Sequence, residues 1–295
     1  MNKGVTITLI TLLSLLTISL IIGLVVLLKG DFNFNSFNFD ISSMSETLVS
    51  EKEINNIKDL DIKTDVADII ITDEDRETIK VELYSDNVKS YEITEEENKI
   101  KVVFKQNNKE MFNLFKKSPN IKIYVPKNYN NNVVIDSNVG DVKIENLKYA
   151  SLNAKVNTGD IKIKEINNVV ASINTGDVKI EKVNKLTSNM RTGDLKIISV
   201  NELISKNKTG DVKINEVNGF IDITSTTGDI KIETANIIKN SKITSNTGDV
   251  KINNTNGCYV EGKTNVGDND INNNNRKSDI VLIINNNVGD ISVNN

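Results

Sequence analysis

Residues 157–163 read Asn-Thr-Gly-Asp-Ile-Lys-Ile, and close copies of this heptapeptide recur along the chain. The glycines of successive copies are separated by about 17–22 residues. They stand at Gly140, Gly159, Gly176, Gly193, Gly210, Gly228, Gly248, Gly267 and Gly289. A near-constant period of about 20 residues is typical of solenoid proteins, in which each repeat stacks on its neighbours.

Each repeat alternates apolar and polar residues on both sides of its glycine. Val169, Ala171 and Ile173 share one parity before Gly176, and Val178 continues the pattern after it. A period of two indicates strands with one buried face, and glycine suits the corner between them because it adopts positive φ at little steric cost. We therefore predict an all-β fold, a parallel β-solenoid (β-helix) of about nine coils of 17–22 residues. The alternative is a meander or barrel of hairpins, but identical residues at identical positions favour stacked coils.

The residues that follow the glycine are also repeated. In most copies Asp comes directly after the glycine, and Lys stands two residues later. In a stack with a spacing of about 4.8 Å, the Asp residues form one column and the Lys residues another. Neighbouring like charges repel by roughly 0.9 kcal/mol in water, and a column of opposite charge offsets this repulsion. We interpret the glycine positions as structural corners.

A row of calcium sites is the alternative interpretation of the same motif. Its ligands would be Asp160, Asp177, Asp194, Asp211, Asp229 and Asp249. Calcium takes six to eight oxygen ligands, whereas each repeat offers one Asp beside a Lys that opposes a cation. A further alternative is a threonine ladder that orders water or ice, because one Thr recurs in most copies.

The composition excludes several classes of function. The formal net charge of −4 leaves no basic footprint for nucleic acid. Because the chain has no His, it lacks Ser-His-Asp catalysis, Cys-His catalysis and His metal sites. Its one cysteine, Cys258, shares the parity of Val260, which favours a buried thiol. We predict no catalytic residue, no metal, no cofactor and no nucleic-acid partner.

The N-terminal segment predicts a membrane anchor. Residues 5–28 carry no charge and, as a helix, would extend about 36 Å, enough to span a hydrocarbon core of about 30 Å. A cleaved signal peptide is disfavoured because the segment ends without small residues at a cleavage site. We expect a single-pass membrane protein with an extracytoplasmic C-terminal part. The predicted regions are the anchor (1–30), a linker (31–52), a β-rich cap region (53–132) and the solenoid repeats (133–295).

A family resemblance rests on these repeats. Ile-Tyr-Val-Pro at 123–126 leads into the first Gly-Asp, and the Thr-Gly-Asp-Val-Lys-Ile copies follow behind the apolar segment. Over about residues 55–293 the chain resembles the bacterial putative adhesin family, a group of β-strand-repeat domains of unknown function. The resemblance implies a cell-envelope protein with no known enzymatic activity. In the last copies Gly267 and Gly289 follow Val, and Asp270 and Ser292 replace Lys, which indicates a terminal cap.

These observations predict a non-enzymatic, membrane-anchored cell-envelope protein whose adhesin-like solenoid binds a surface, a polymer or a protein. The predicted partners are the membrane, through residues 5–28, and a cell-wall polymer or envelope protein. An accessory or sensor protein of a cell-envelope stress response is the alternative. A polysaccharide-active β-helix enzyme is less favoured, because such enzymes break the repeat locally at their sites, whereas Asp and Lys are equivalent in most copies here.

Overall fold

The computed structural model describes residues 47–85, 90–105, 118–272 and 278–294, which belong to the unit Ser43–Asn295. These ranges contain strands and turns and no helix, so they include no helix with the length and apolar character of a membrane span. The predicted anchor and residues 31–46 of the predicted linker lie outside the described residues.

The described residues form strands β1 to β20 in chain order. Their bounds are β1 Leu48–Ile54, β2 Asp59–Val66, β3 Asp68–Glu74, β4 Ile79–Tyr84, β5 Ser90–Glu95, β6 Lys99–Lys105, β7 Asn120–Pro126, β8 Asn132–Val139, β9 Val142–Thr158, β10 Ile161–Thr175, β11 Val178–Thr192, β12 Leu195–Thr209, β13 Val212–Thr227, β14 Ile230–Ile237, β15 Ser241–Thr247, β16 Val250–Asn256, β17 Tyr259–Val266, β18 Asn269–Ile271, β19 Val281–Val288 and β20 Ile291–Val293.

Equivalent residues of successive repeats lie side by side in parallel strands. Ile161 pairs with Val178 in β10 and β11, and Ala171 pairs with Ser188 further along the same strands. The apolar positions of the alternating pattern are buried and form one continuous core. The predicted parallel β-solenoid is therefore confirmed. The hairpin alternative is wrong, because hairpins would pair the repeats antiparallel.

The corners of the coils stack in an order that differs from the chain order at one end. Every corner N–H before the end of the stack donates to a backbone carbonyl of the neighbouring coil, as Gly176 does to Thr192 at 3.0 Å. From the N-terminal end the stack runs Ala67, Gly140, Gly159, Gly176, Gly193, Gly210, Gly228, Gly248, Gly289 and Gly267. The last two coils have thus exchanged places, whereas simple stacking in chain order was expected.

The exchange follows from the composition of the two coils. β19 pairs with β15 on one side and with β17 on the other. The inserted coil buries Leu282 and Ile284, where the outermost coil has Val260 and Gly262. Two neighbouring coils cover the apolar side chains of the inserted coil. The coil with less apolar surface takes the end position, where only one neighbour covers it. The predicted terminal cap is therefore the coil of Gly267, and not that of Gly289.

The stack begins earlier in the chain than residue 133. β2 and β3 meet at Ala67 and pair in parallel with β8 and β9, so they form a coil of their own. β6 and β7 continue the two sheets beyond this coil, and β5, β4 and β1 add antiparallel strands. The region 53–132 thus contains a coil as well as a cap. The linker prediction was wrong for residues 48–52, which belong to β1.

Candidate functional site

The corner of every coil depends on the conformation of its glycine. The nine predicted corner glycines have φ between 128° and 143°. A Cβ on Gly176 would overlap the carbonyl of Gly159 in the coil below, and the same overlap recurs along the stack. Each corner therefore requires glycine for two reasons, its positive φ and the close approach of the neighbouring backbone.

The Asp residues after the corners form a continuous hydrogen-bonded ladder. The Oδ1 atom of each Asp except the last accepts the backbone N–H of the Asp in the next coil, at 2.8–3.0 Å. In stack order the ladder consists of Asp68, Asp141, Asp160, Asp177, Asp194, Asp211, Asp229, Asp249, Asp290 and Asp268. This use of the carboxylate was not foreseen, although an Asp fixed after each glycine is the signal that could have indicated it.

The Lys residues neutralise the Asp ladder in its central part. Lys162 Nζ lies 3.3 Å from Asp141 and 3.4 Å from Asp160. The next three coils repeat the contact within the coil, at 3.5, 3.1 and 2.9 Å. In two other coils the Lys pairs with a Glu two residues later, as Lys231 does with Glu233 at 2.7 Å. The Lys column was predicted to neutralise the Asp column. Some of its lysines pair with Asp, and others pair with Glu.

Two positions of the ladder show how its surroundings tune a carboxylate. Burial raises the pKa of Asp68, and the nearby charge of Asp141 adds to the rise, although the N–H of Asp141 acts against it. Burial also opposes ionisation of Asp194, but the N–H of Asp211 and the ammonium of Lys196 outweigh it. The pKa of Asp194 is therefore lowered. The surroundings of Asp194 thus favour its charged form, and those of Asp68 disfavour it.

The geometry gives little support to the calcium alternative. One oxygen of each of the six candidate carboxylates already accepts a backbone N–H, and Lys side chains contact four of them. Among the described residues, no three acidic or cysteine side chains gather in a group that could hold a metal ion. The six residues lie in one column, as predicted, and they serve the corner.

Two ladders of Asn side chains accompany the Asp ladder and were missed in the sequence. Before the corners, Asn157 Nδ2 donates to Asn138 Oδ1, and Asn174 donates to Asn157, both at 3.1 Å. At the opposite bend of the coil, Asn201 Nδ2 donates to Asn184 Oδ1 at 2.9 Å. Amide side chains stack in this way when identical residues lie in register.

The outer face of the sheet before the corners carries a column of a different kind. Four aliphatic side chains occupy the sixth position before their corners and are 36–47% exposed. We name Val134, Val170, Ile204 and Ile283 the aliphatic column. Asn153 separates the first two, and Thr187 separates Val170 from Ile204. Apolar and hydrogen-bonding side chains thus alternate from coil to coil over this part of the stack.

An open cleft and a buried thiol complete the candidates. The cleft has a volume of about 380 Å³ and is lined by charges of both signs, among them Lys63, Lys101 and Asp136. Burial raises the pKa of Cys258 to about 11, so this thiol is protonated at neutral pH. Its position agrees with the predicted buried thiol and does not suit a nucleophile.

The parallel coils, the glycine corners and the Asp ladder define a β-solenoid protein built from one repeated corner. The chain matches the Toastrack DUF4097 family over residues 57–295, and it belongs to this family. The family match confirms the resemblance seen in the repeats.

The comparison with solved structures matches two further proteins. A putative adhesin from Bacteroides fragilis NCTC 9343 is 16% identical with a TM-score of 0.43, over 84% of this chain and 98% of that chain. A putative lipid binding protein from Parabacteroides distasonis ATCC 8503 is 14% identical with a TM-score of 0.41, over 84% and 97%. The comparison with curated proteins found no significant match.

Proposed function

We propose that this protein is a non-enzymatic, membrane-anchored component of the cell envelope whose solenoid binds an extended polymer or protein surface. The observation that carries the proposal is an outward-facing run along the stack of parallel coils in which apolar and hydrogen-bonding side chains alternate, Val134, Asn153, Val170, Thr187 and Ile204. A ligand with its own repeat can contact such a surface at many equivalent places, and repeat proteins use their extended faces in this way.

The aliphatic column is the part of the surface that we assign to the ligand. Val170 and Ile204 stand two coils apart, so their side chains recur at about 9.6 Å, twice the spacing between strands. Thr187 lies between them and can exchange hydrogen bonds with the same ligand. Exposed aliphatic groups stay in contact with water unless a partner covers them, and their burial would contribute to binding.

The chemistry of the remaining groups supports a binding role over an enzymatic one. The carboxylates of the corners are committed to the backbone ladder and to lysines. The single thiol is buried and protonated. General acid–base catalysis needs a side chain that can reach a substrate and exchange a proton with it. The described carboxylates of the ladder are bound instead by backbone N–H groups and, in the middle coils, by lysines.

Binding of the full-length protein to isolated bacterial cell-wall material tests the proposal. The double variant Val170→Lys/Ile204→Lys places two charges on the aliphatic column and should lower the bound fraction at least tenfold. Ile198→Lys/Asn215→Lys adds the same two charges to the other sheet, where both residues face outward, and should bind as the unmodified protein does. Equal loss in both variants would contradict the assigned face, and release of sugar from the material would contradict the non-enzymatic role.

A further inference from the structure

The interior of the solenoid is not uniformly apolar beside its corners. The third residue before each corner points inward, and in stack order this column reads Thr64, Ser137, Val156, Ile173, Met190, Asn207, Ser225, Ser245, Asn286 and Thr264. The first nine of these residues are at most 4% exposed. Two polar runs are therefore buried in the rod, and three apolar residues separate them.

The polar side chains of these runs have buried oxygens without a protein partner among the described residues. In the longer run these atoms are Asn207 Oδ1, Ser225 Oγ, Ser245 Oγ and Asn286 Oδ1. In the shorter run they are Thr64 Oγ1 and Ser137 Oγ. Buried polar atoms in folded proteins are nearly always hydrogen-bonded, to protein or to ordered water. Orphaned oxygens on consecutive coils therefore indicate a common partner inside the rod.

The spacing of the oxygens suits water. Asn207, Ser225 and Ser245 are in-register neighbours in adjacent strands, about 4.8 Å apart. A molecule about 2.8 Å from each of two such oxygens bridges them with a nearly tetrahedral angle. The equivalent position holds Ile173 in another coil, and a serine there leaves room for about one water molecule.

The two Asn residues fix the direction of the hydrogen bonds at the ends of the longer run. Asn207 Nδ2 donates to the carbonyl of Gly210 at 2.7 Å, and Asn286 Nδ2 donates to the carbonyl of Gly248 at 2.9 Å. The Oδ1 atom of each amide is then left as an acceptor. A partner inside the longer run must therefore donate at both ends of that run, while the serine hydroxyls rotate to donate or accept. Water meets this requirement, and a monovalent anion does not.

We propose that the solenoid encloses two files of ordered water. One file bridges Asn207, Ser225, Ser245 and Asn286, and the other bridges Thr64 and Ser137. The apolar residues Val156, Ile173 and Met190 form a dry plug between the files. The waters complete the hydrogen bonding of the polar side chains inside these coils, while the Asp ladder bonds the main chain beside the corners from outside.

Counting long-lived internal waters by ¹⁷O and ²H relaxation dispersion of the full-length protein tests this proposal. The double variant Ser225→Val/Ser245→Val should lose about three such waters, because all bridges of the longer file involve one of the two serines. It should fold, since Val156 occupies the same position in another coil. The control Thr224→Val/Thr244→Val changes the outward neighbours in the same strands and should keep the count.

A second variant keeps the test decisive. Met190→Ser extends the polar run by one coil next to Asn207 and should add about one long-lived water. An unchanged count in both Ser225→Val/Ser245→Val and Met190→Ser would overturn the proposal. The same conclusion would follow from a high-resolution electron-density map in which the serine hydroxyls bond to carbonyls in a dry interior.

Discussion

The carboxylate of Asp160 accepts the backbone N–H of Asp177 in the next coil at 3.0 Å. This contact joins a side chain of one repeat to the main chain of the following repeat, directly beside the glycine corner. Because it recurs at every step, the Asp of the heptapeptide holds neighbouring coils in register. The motif is thus explained by how the rod is built, and the binding face that we propose lies elsewhere on the coil.

Removal of one carboxylate from the ladder should weaken the stack. Asp194→Ala deletes the acceptor for Asp211 N–H and the partner of Lys196, and we expect a loss of about 1–2 kcal/mol in the free energy of unfolding. Asp194→Asn keeps an oxygen acceptor and should lose less. Urea unfolding measures both. Asp222→Ala, on the exposed face of the sheet that precedes the corners, is the control, and an equal effect there would contradict the role of the ladder.

Substitution of a corner glycine should be more damaging than loss of a ladder bond. Gly193 has a φ of 138°, and a Cβ there would overlap the carbonyl of Gly176. We expect Gly193→Ala to destabilise the fold by about 3 kcal/mol or more, measured by the same unfolding experiment. Ala67 stands at a corner without positive φ, so Ala67→Gly should cost about 1 kcal/mol or less. Similar losses in the two variants would show that the corner does not demand glycine.

The pKa values of Asp194 and Asp68 are shifted in opposite directions, and they predict opposite effects of pH on the stability of the fold. The lowered pKa of Asp194 stabilises the fold above the usual Asp pKa, and this contribution is lost as the pH falls through the lowered value. The raised pKa of Asp68 favours the fold at low pH, and this contribution is lost as the pH rises through the raised value.

Neutralising these two residues should therefore have opposite consequences at neutral pH. Asp68→Asn should raise the urea midpoint near pH 7, while Asp194→Asn should lower it. Asp68→Asn should approach the unmodified protein below the usual Asp pKa of about 3.9, whereas Asp194→Asn should do so only as the pH falls through the lowered pKa of Asp194. A stabilising effect of Asp194→Asn at neutral pH would contradict the assigned balance of burial and hydrogen bonding.

The exchanged order of the last two coils can be tested by engineered disulfides. Lys242 lies beside Ile283, and Glu261 lies on the far side of Ile283. In a background with Cys258→Ala, the pair Lys242→Cys/Ile283→Cys should oxidise readily, because adjacent strands place the Cα atoms within disulfide range. Lys242→Cys/Glu261→Cys should not, because two strand spacings separate the residues. Gel mobility reports which pair forms the disulfide. Oxidation of the second pair and not of the first would show that the coils stack in chain order.

The sequence was sufficient for the parts of the fold that depend on periodicity. The parity of Val169, Ala171 and Ile173 predicted the buried face, and the recurrence of glycine predicted the corners. The sequence also contains a degenerate copy of the heptapeptide around Ala67, but this copy lacks the glycine, so Ala67 was not included among the predicted corners. The order of Gly289 and Gly267 depends on which coil buries more apolar surface against two neighbours, and local pattern does not show this. The Asp and Asn ladders arise only when identical residues are brought into register.

Thermal unfolding of the full-length protein with and without calcium tests the central claim most directly. If the Asp ladder is a structural element, the midpoint should be the same in a chelator and at about 10 mM calcium, which is at least tenfold above the Kd of about 10⁻⁴–10⁻³ M of extracellular calcium modules. An upward shift of several degrees that disappears in Asp194→Asn would contradict the claim. It would show that the column of carboxylates is a row of cation sites.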